Sequence, residues 1–307
     1  MEAEKQSYDE SQRAGAVRHV RALSRCVVLV CVLAATAGEA ALLFVCGRLR
    51  TQGEGARWLH RWCPRILACM GVDASVRGPV PGTTAASGEQ FEAIVANHLS
   101  YLDILLLSSA VPSVFVAKDE VSRWRLIGWL TTRSGAVYVY RGGRRETYPL
   151  VNARMARAFR SGVPVVFFPE GTTTNGTEVL PFRRGLFHSV LRDQVAVRTA
   201  AIRYELVGRD GDVAEDVCWC GDAALVPHLY RLLGFERVRA TVTFGATACG
   251  ADRFELSEDA RECVMELRSR AQLLWRPNCL LRRRHFRCRY CGLFLPFFSF
   301  SARPPTQ

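Results

Sequence analysis

The chain has 307 residues, 49% of them hydrophobic, enough for one large core or two modest ones, which excludes a disordered or fibrous protein. Lys and Arg number 41 against 29 Asp and Glu, and the resulting +12 at a pI near 9.4 favours an anionic partner, either nucleic acid or an anionic membrane surface. The 12 cysteines are scattered, several inside apolar runs, a usage that fits small buried hydrophobes in a reducing compartment better than a disulfide framework.

Residues 1–25 form a polar, basic leader. From Cys26 to Cys46 the only charge is Glu39, and at 1.5 Å per residue this stretch spans about 30 Å of hydrocarbon. A cleaved signal peptide competes with this reading, but the leader and the apolar run are both too long for one, so a retained membrane anchor is expected. Glu39 is costly at membrane depth, which leaves open a helix dipping into one leaflet; arginines flank both ends and do not fix the orientation. Residues 47–77 contain the basic, aromatic stretch Arg57-Trp58-Leu59-His60-Arg61-Trp62, broken at Pro64. It suits an interfacial amphipathic helix with tryptophans at headgroup level, or equally a surface helix packed on the domain.

A turn-rich connection with Gly78, Pro79, Pro81, Gly82 and Gly88 opens the main domain, residues 78–278. Apolar runs over Phe91–Ala96, Ser113–Ala117, Gly135–Tyr140, Val163–Phe168 and Val195–Tyr204 read as strands. Between them Ile104–Ala110, Ser122–Thr132 and Glu146–Ser161 read as helices. Strands alternating with helices predict an α/β fold whose mainly parallel central sheet is flanked by helices. Val238–Phe244 is a further strand and Ser257–Trp275 a helix capped by Ser257. The tail, 279–307, mixes arginines with aromatics, as membrane adhesion requires; its single Cys288-x-x-Cys291 is weak evidence for zinc, and no metal is expected.

Two strand ends carry candidate chemistry. Ile94-Val95-Ala96-Asn97-His98-Leu99-Ser100-Tyr101-Leu102-Asp103 delivers a histidine to a strand-to-helix junction, where Ser100 and Asp103 give a helix-start signature. If the turn folds the two together, His98 can act as a base oriented by the Asp103 carboxylate; alternatively Asp103 merely caps a helix and His98 is a polar loop residue. The second, Phe167-Phe168-Pro169-Glu170-Gly171-Thr172-Thr173-Thr174, loads a turn with a carboxylate, a permissive glycine and hydroxyls, which can face a polyhydroxyl or anionic ligand, or equally is an ordinary Pro-Glu-Gly turn. Between them Arg141 follows Gly135-Ala136-Val137-Tyr138-Val139-Tyr140; an isolated arginine past a strand end is more often solvated than bound, but a guanidinium suits phosphate.

Taken together, Asn97-His98-x-Ser100-x-x-Asp103, the run ending at Arg141, and Phe168-Pro169-Glu170-Gly171-Thr172 resemble, in order and separation, the signature blocks of the glycerolipid acyltransferases. The likeness is to the lysophosphatidic acid (1-acyl-sn-glycerol-3-phosphate) acyltransferases in particular. It covers roughly Phe91 to Phe244, and Lys118 is similar to a lysine the family often carries there. The segment from Val195 to Ile202 departs from the family pattern in having no proline, which puts acyl-chain and acceptor choice in doubt more than chemistry.

The resemblance implies a membrane-bound O-acyltransferase of phospholipid synthesis. His98 is the implied general base and Asp103 its orienting carboxylate, supported by Asn97 and by Ser100 as the cap of the turn. Arg141, Glu170, Gly171, Thr172 and Lys118 are the implied substrate-binding residues. The expected partners are a lysophospholipid acceptor, acyl-CoA or acyl carrier protein as donor, and membrane lipids, with no cofactor. The expected location is a bacterial inner membrane with the site on its cytoplasmic face. Another lysolipid acceptor, such as a lyso-ornithine lipid, and a non-catalytic lipid-binding protein of the same fold are the alternatives; retention of both His98 and Asp103 speaks against the latter. Nucleic acid is disfavoured because the positive charge coincides with apolar and aromatic stretches.

Overall fold

The computed structural model describes residues 2–81, 92–139, 148–208 and 211–273, with the backbone alone described for 2–14, 148 and 271–273. The elements run α1 (Glu2–Val45), α2 (Gln52–Cys69), β1 (Val72–Arg77), β2 (Glu92–Ala96), α3 (Leu102–Ala110), β3 (Val114–Lys118), α4 (Asp119–Ser122), α5 (Arg125–Arg133) and β4 (Val137–Val139). There follow α6 (Tyr148–Phe159), β5 (Val165–Phe167), α7 (Gly185–Arg192), β6 (Ala196–Val207), α8 (Val213–Asp216), α9 (Leu225–Gly234), β7 (Arg237–Ala248) and α10 (Arg253–Leu273). The strands form one sheet in the order β1-β7-β6-β2-β5-β3-β4. Every described pairing is parallel except β6 with β7, which are antiparallel.

Strand β2 lies at the centre and is buried on both faces, as its unbroken apolar run requires. Ile94 and Ala96 face one core, built with α1, α2, α3 and α9; Ala93 and Val95 face the other, built with α6, α7 and α10. Val95 pairs with Phe167 and Ala96 with Ala200, so β2 and β5 end side by side while β6 continues beyond them. The expected strands and helices are present with ends shifted by a few residues, Val137–Val139 being the described part of the fourth strand.

The structure corrects several sequence expectations. The leader and the apolar run form one helix, α1, since nothing before Gly15 breaks a stretch rich in helix formers. Its Gly15–Val45 part is long and apolar enough to cross a membrane. Pro64 does not break α2: it sits inside the helix on an exposed face, where water can take the carbonyl it leaves unpaired. Trp58 is not at headgroup level but fully buried with Ala40, Leu49 and Leu130 between helices, and β1, within the same 47–77 stretch, is a sheet strand. Ser257 is not the cap of α10; Asp252 Oδ1 accepts from the amides of Phe254 (2.7 Å) and Glu255 (2.9 Å), and Ser257 is buried in the helix. The nine described cysteines are free. The C-terminal tail with its Cys288-x-x-Cys291 lies outside the described residues.

Helix α2 is anchored by a reciprocal cap, Thr51 Oγ1 accepting from Glu54 N (3.2 Å) and Glu54 Oε2 from Thr51 N (2.8 Å). Its glycines let it approach neighbouring backbone closely: a Cβ on Gly55 would stand 2.3 Å from the Arg133 carbonyl oxygen. Replacing a helical glycine by alanine ordinarily stabilises by up to about 1 kcal/mol. Here the clash reverses the sign. Gly55→Ala is expected to lose about 1–3 kcal/mol, whereas Gly185→Ala in α7, where a Cβ meets nothing within 4 Å, is neutral or stabilising. Chemical denaturation of the two variants checks this, and a stabilised Gly55→Ala would refute the close approach.

Candidate active site

The parallel register brings two loops together at the carboxyl ends of β2 and β5, the usual location of a site in such sheets. After β2 the chain turns through Asn97-His98-Leu99-Ser100 into α3, whose first turn contains Asp103. The Asp103 side chain is 0% exposed, yet its charge is fully provided for. Oδ2 accepts from His98 Nδ1 (2.7 Å), Leu99 N (2.6 Å) and Ser100 N (3.0 Å), and Oδ1 accepts from the Tyr204 hydroxyl (2.6 Å). The positive end of α3 adds to this. A carboxylate at Nδ1 fixes the neutral imidazole as its Nδ1–H tautomer and leaves the Nε2 lone pair for chemistry. The His98 side chain, 18% exposed, is held in its plane by Phe168, stacked 3.9 Å away at 8°.

Ser100 is not the cap that the sequence suggested. The N-cap is Tyr101, in helical conformation with no side-chain cap, and the buried Ser100 hydroxyl has no hydrogen-bond partner among the described residues. The backbone amide of Ser100, not its hydroxyl, meets Asp103. Asn97 is a structural clamp: its Oδ1 accepts from Ile202 N (2.7 Å) and its Nδ2 donates to Ile202 O (3.1 Å), extending the β2–β6 pairing by one side chain.

Glu170 is buried beneath the loops. Its Oε1 accepts from His98 N (2.7 Å) and its Oε2 from Leu180 N (2.9 Å), so its carboxylate ties the two strand ends and the returning loop together. Gly171 has φ +72°, and a Cβ there would lie 2.6 Å from Arg183 Nε. Thr172 is half-buried in this loop. Thr174 of the same turn donates its amide to His98 O (2.9 Å). Helix α10 holds the rest of the loop, Arg261 reaching the carbonyls of Val179 and Leu180 and Arg268 those of Gly176 and Thr177. Lys118 ends β3, at the same edge of the sheet, with a half-buried side chain. Arg141 lies outside the described residues.

A second layer supports the first. Trp219 N donates to Leu99 O (2.8 Å), and the Tyr101 hydroxyl pairs with His228 Nδ1 (3.2 Å), whose Nε2 pairs with Cys218 O (3.1 Å). Burial lowers the His228 pKa, so this histidine stays a neutral structural link. Tyr204 and Tyr101 carried no signal in the sequence because each lies far along the chain from at least one of its partners.

The family model described as Acyltransferase matches residues 88–203, which contain all three blocks. The lyso-ornithine lipid O-acyltransferase of Pseudomonas aeruginosa PAO1 is 36% identical over 210 residues, covering 68% of this chain and 76% of that enzyme. The 1-acyl-sn-glycerol-3-phosphate acyltransferase of Neisseria meningitidis serogroup B is 29% identical over 227 residues, covering 69% of this chain and 86% of its own. The crystal structure of the 1-acyl-sn-glycerophosphate acyltransferase PlsC from Thermotoga maritima shares the fold, with a TM-score of 0.60 at 17% identity over 87% of this chain and 100% of that one. The chain belongs to the acyltransferase family.

Burial is the largest influence on Glu170 and raises its pKa above the ordinary carboxyl value, against the two backbone amides that favour its charged form. The folded protein therefore binds this proton more tightly than the unfolded chain. The stability Glu170 contributes is present below its unfolded pKa and is lost as pH rises through its folded one. The thermal midpoint of the wild type minus that of Glu170→Gln is expected to grow as pH falls from 7 towards 5. A difference that stays flat or shrinks on acidification would sink the buried-carboxylate account.

Proposed function

We propose that this protein transfers a fatty acyl group from acyl-CoA or acyl carrier protein to the free hydroxyl of 1-acyl-sn-glycerol-3-phosphate, giving phosphatidic acid. The observation that carries this reading is the 2.7 Å contact between His98 Nδ1 and a fully buried Asp103, which frees Nε2 at the loop surface. In the proposed step Nε2 takes the proton of the acceptor hydroxyl as its oxygen attacks the thioester carbonyl. The tetrahedral intermediate collapses, the C–S bond breaks, and the imidazolium returns the proton to the departing thiolate. Asp103 stabilises the transient imidazolium without becoming protonated. No covalent acyl-enzyme and no cofactor are needed. Arg141 and Lys118 are assigned to the anionic headgroup, with Gly171 and Thr172 at the rim. Glu170, its oxygens occupied by backbone amides, supports the site from beneath.

A second acceptor is favoured by a specific observation: the Pseudomonas relative, at 36% identity, is named for lyso-ornithine lipid. Purified protein supplied with acyl-CoA and either lysolipid distinguishes the two by product. His98→Ala is expected to lose at least about 10²-fold in kcat with the preferred acceptor. Equal rates for variant and wild type would remove His98 as base, and no transfer to any lysolipid by the wild type would leave a lipid-binding protein.

We also propose that α1 attaches the domain to an anionic membrane, a bacterial inner membrane with the site on its cytoplasmic face, by lying along one leaflet. Both ends of α1 then stay on the side of the catalytic domain. Single cysteines at positions 8 and 48, in a background lacking native cysteines, are expected to react with a membrane-impermeant maleimide from the same side. Labelling from opposite sides would show that α1 crosses.

A further inference from the structure

We infer that Tyr204 is a positioning residue that sets how strongly Asp103 holds a proton on His98. This rests on the reading of His98 as general base, and it concerns a residue that none of the three sequence blocks contains.

The two oxygens of Asp103 draw their donors from different places. Oδ2 takes its donors from the turn itself: His98 Nδ1, Leu99 N and Ser100 N. Oδ1 takes the Tyr204 hydroxyl, at 2.6 Å, from a strand that is distant in sequence. Tyr204 reaches it because β6 runs past the end of β2, and the Asn97 clamp on Ile202 fixes the register two residues earlier on the same strand face. A short bond from a neutral donor draws carboxylate charge towards Oδ1 and so reduces what Oδ2 presents to the imidazole. Tyr204 can only donate here, because burial first and the Asp103 charge second hold its phenol in the protonated form.

The other titratable groups around the pair do not duplicate this role. Glu170 faces His98 from the β5 turn with its oxygens on backbone amides. Cys218, beyond α8, lies near enough to Asp103 to feel its charge, but with its thiol pushed up to about 12, chiefly by burial, it is neutral. Tyr101, before α3, is protonated and turned to His228 of α9. Among the described residues Tyr204 supplies the side-chain donor to Asp103 other than His98 itself.

Removing the hydroxyl concentrates the carboxylate charge on Oδ2, which stabilises the imidazolium, so His98 titrates at higher pH. The test uses full-length Tyr204→Phe in detergent with isotope-labelled histidine, the His98 ring signal being assigned by its loss in His98→Ala. The expected result is a rise of about half to one pH unit in the His98 midpoint. The acid limb of kcat/KM for the lysolipid acceptor should move by the same amount. A merely structural role lowers the rate without moving either midpoint. A second variant keeps the ring and its bond: 3-fluorotyrosine in place of Tyr204 is a stronger donor and should move the His98 midpoint down. A His98 midpoint that is unmoved, or that moves the same way in both variants, overturns the inference. Shifted midpoints with a fixed acid limb uphold the tuning by Tyr204 and remove His98 as the base, so the two failures are distinguishable.

Discussion

The constraint on which the rest of the site depends is the solvation of one buried carboxylate. An unpaired charge in this position costs on the order of several kcal/mol, and Asp103 is fully excluded from solvent. Its four donors come from three places: the tight turn after β2, the imidazole of His98, and the far strand β6. Meeting that demand shapes the turn, since the amides of Leu99 and Ser100 converge on one oxygen only if the chain coils tightly into α3. It also leaves the imidazole one orientation, with Nδ1 inward and Nε2 outward. A single requirement for hydrogen bonds therefore fixes both the loop and the tautomer.

The sheet makes this arrangement possible. Because β2 pairs in parallel with both β5 and β6, the chain leaves β2 and β5 in the same direction and the two loops meet. Glu170 converts that proximity into a bond, accepting the amide of His98 itself. The loop returning from Gly171 is held in turn by α10, whose Arg261 and Arg268 cover carbonyls that the loop cannot satisfy internally. Ordering in α10 is thus linked to the geometry around His98 through these hydrogen bonds as well as through the core that α10 shares with β2 and β5.

The parts of this protein legible in its sequence are those written locally. His98 and Asp103 are five positions apart, and the alternation of apolar runs with amphipathic stretches marks the strands and helices of a parallel sheet. Glu170 was legible as a candidate but its role was not, because whether a carboxylate meets substrate or backbone depends on Leu180, ten residues on, and on the neighbouring strand. Ser100 misled for a related reason: the Ser-x-x-Asp pattern fits a capping box, but in the fold the carboxylate is drawn to the histidine and the amides, leaving the hydroxyl aside. Tyr204 and Asn97 act across the β2–β6 pairing, which no local pattern records. The tryptophans of α2 show the limit of composition, since an aromatic and basic stretch reads alike whether it faces lipid or, as Trp58 does, the space beneath another helix.

The same long-range contacts bear on how α1 meets a membrane. About halfway along α1, Arg21 and Arg25 bond the carbonyls of Gly234, Leu233, Phe235 and Glu236, and further along Glu39 meets Arg61 and Trp62 of α2. Arg25 and Glu39 are about 21 Å apart along the helix, within the roughly 30 Å of a hydrocarbon core. A helix standing upright in the bilayer would carry its docked surface inward with it, including the half-exposed Arg61. Lying flat, it keeps those charges at the headgroups while Val20, Leu23, Val27, Val30 and Leu42, all exposed, enter the acyl region. The charge of Glu39, costly for an upright helix, is in the flat one part of the contact that fastens α1 to the domain.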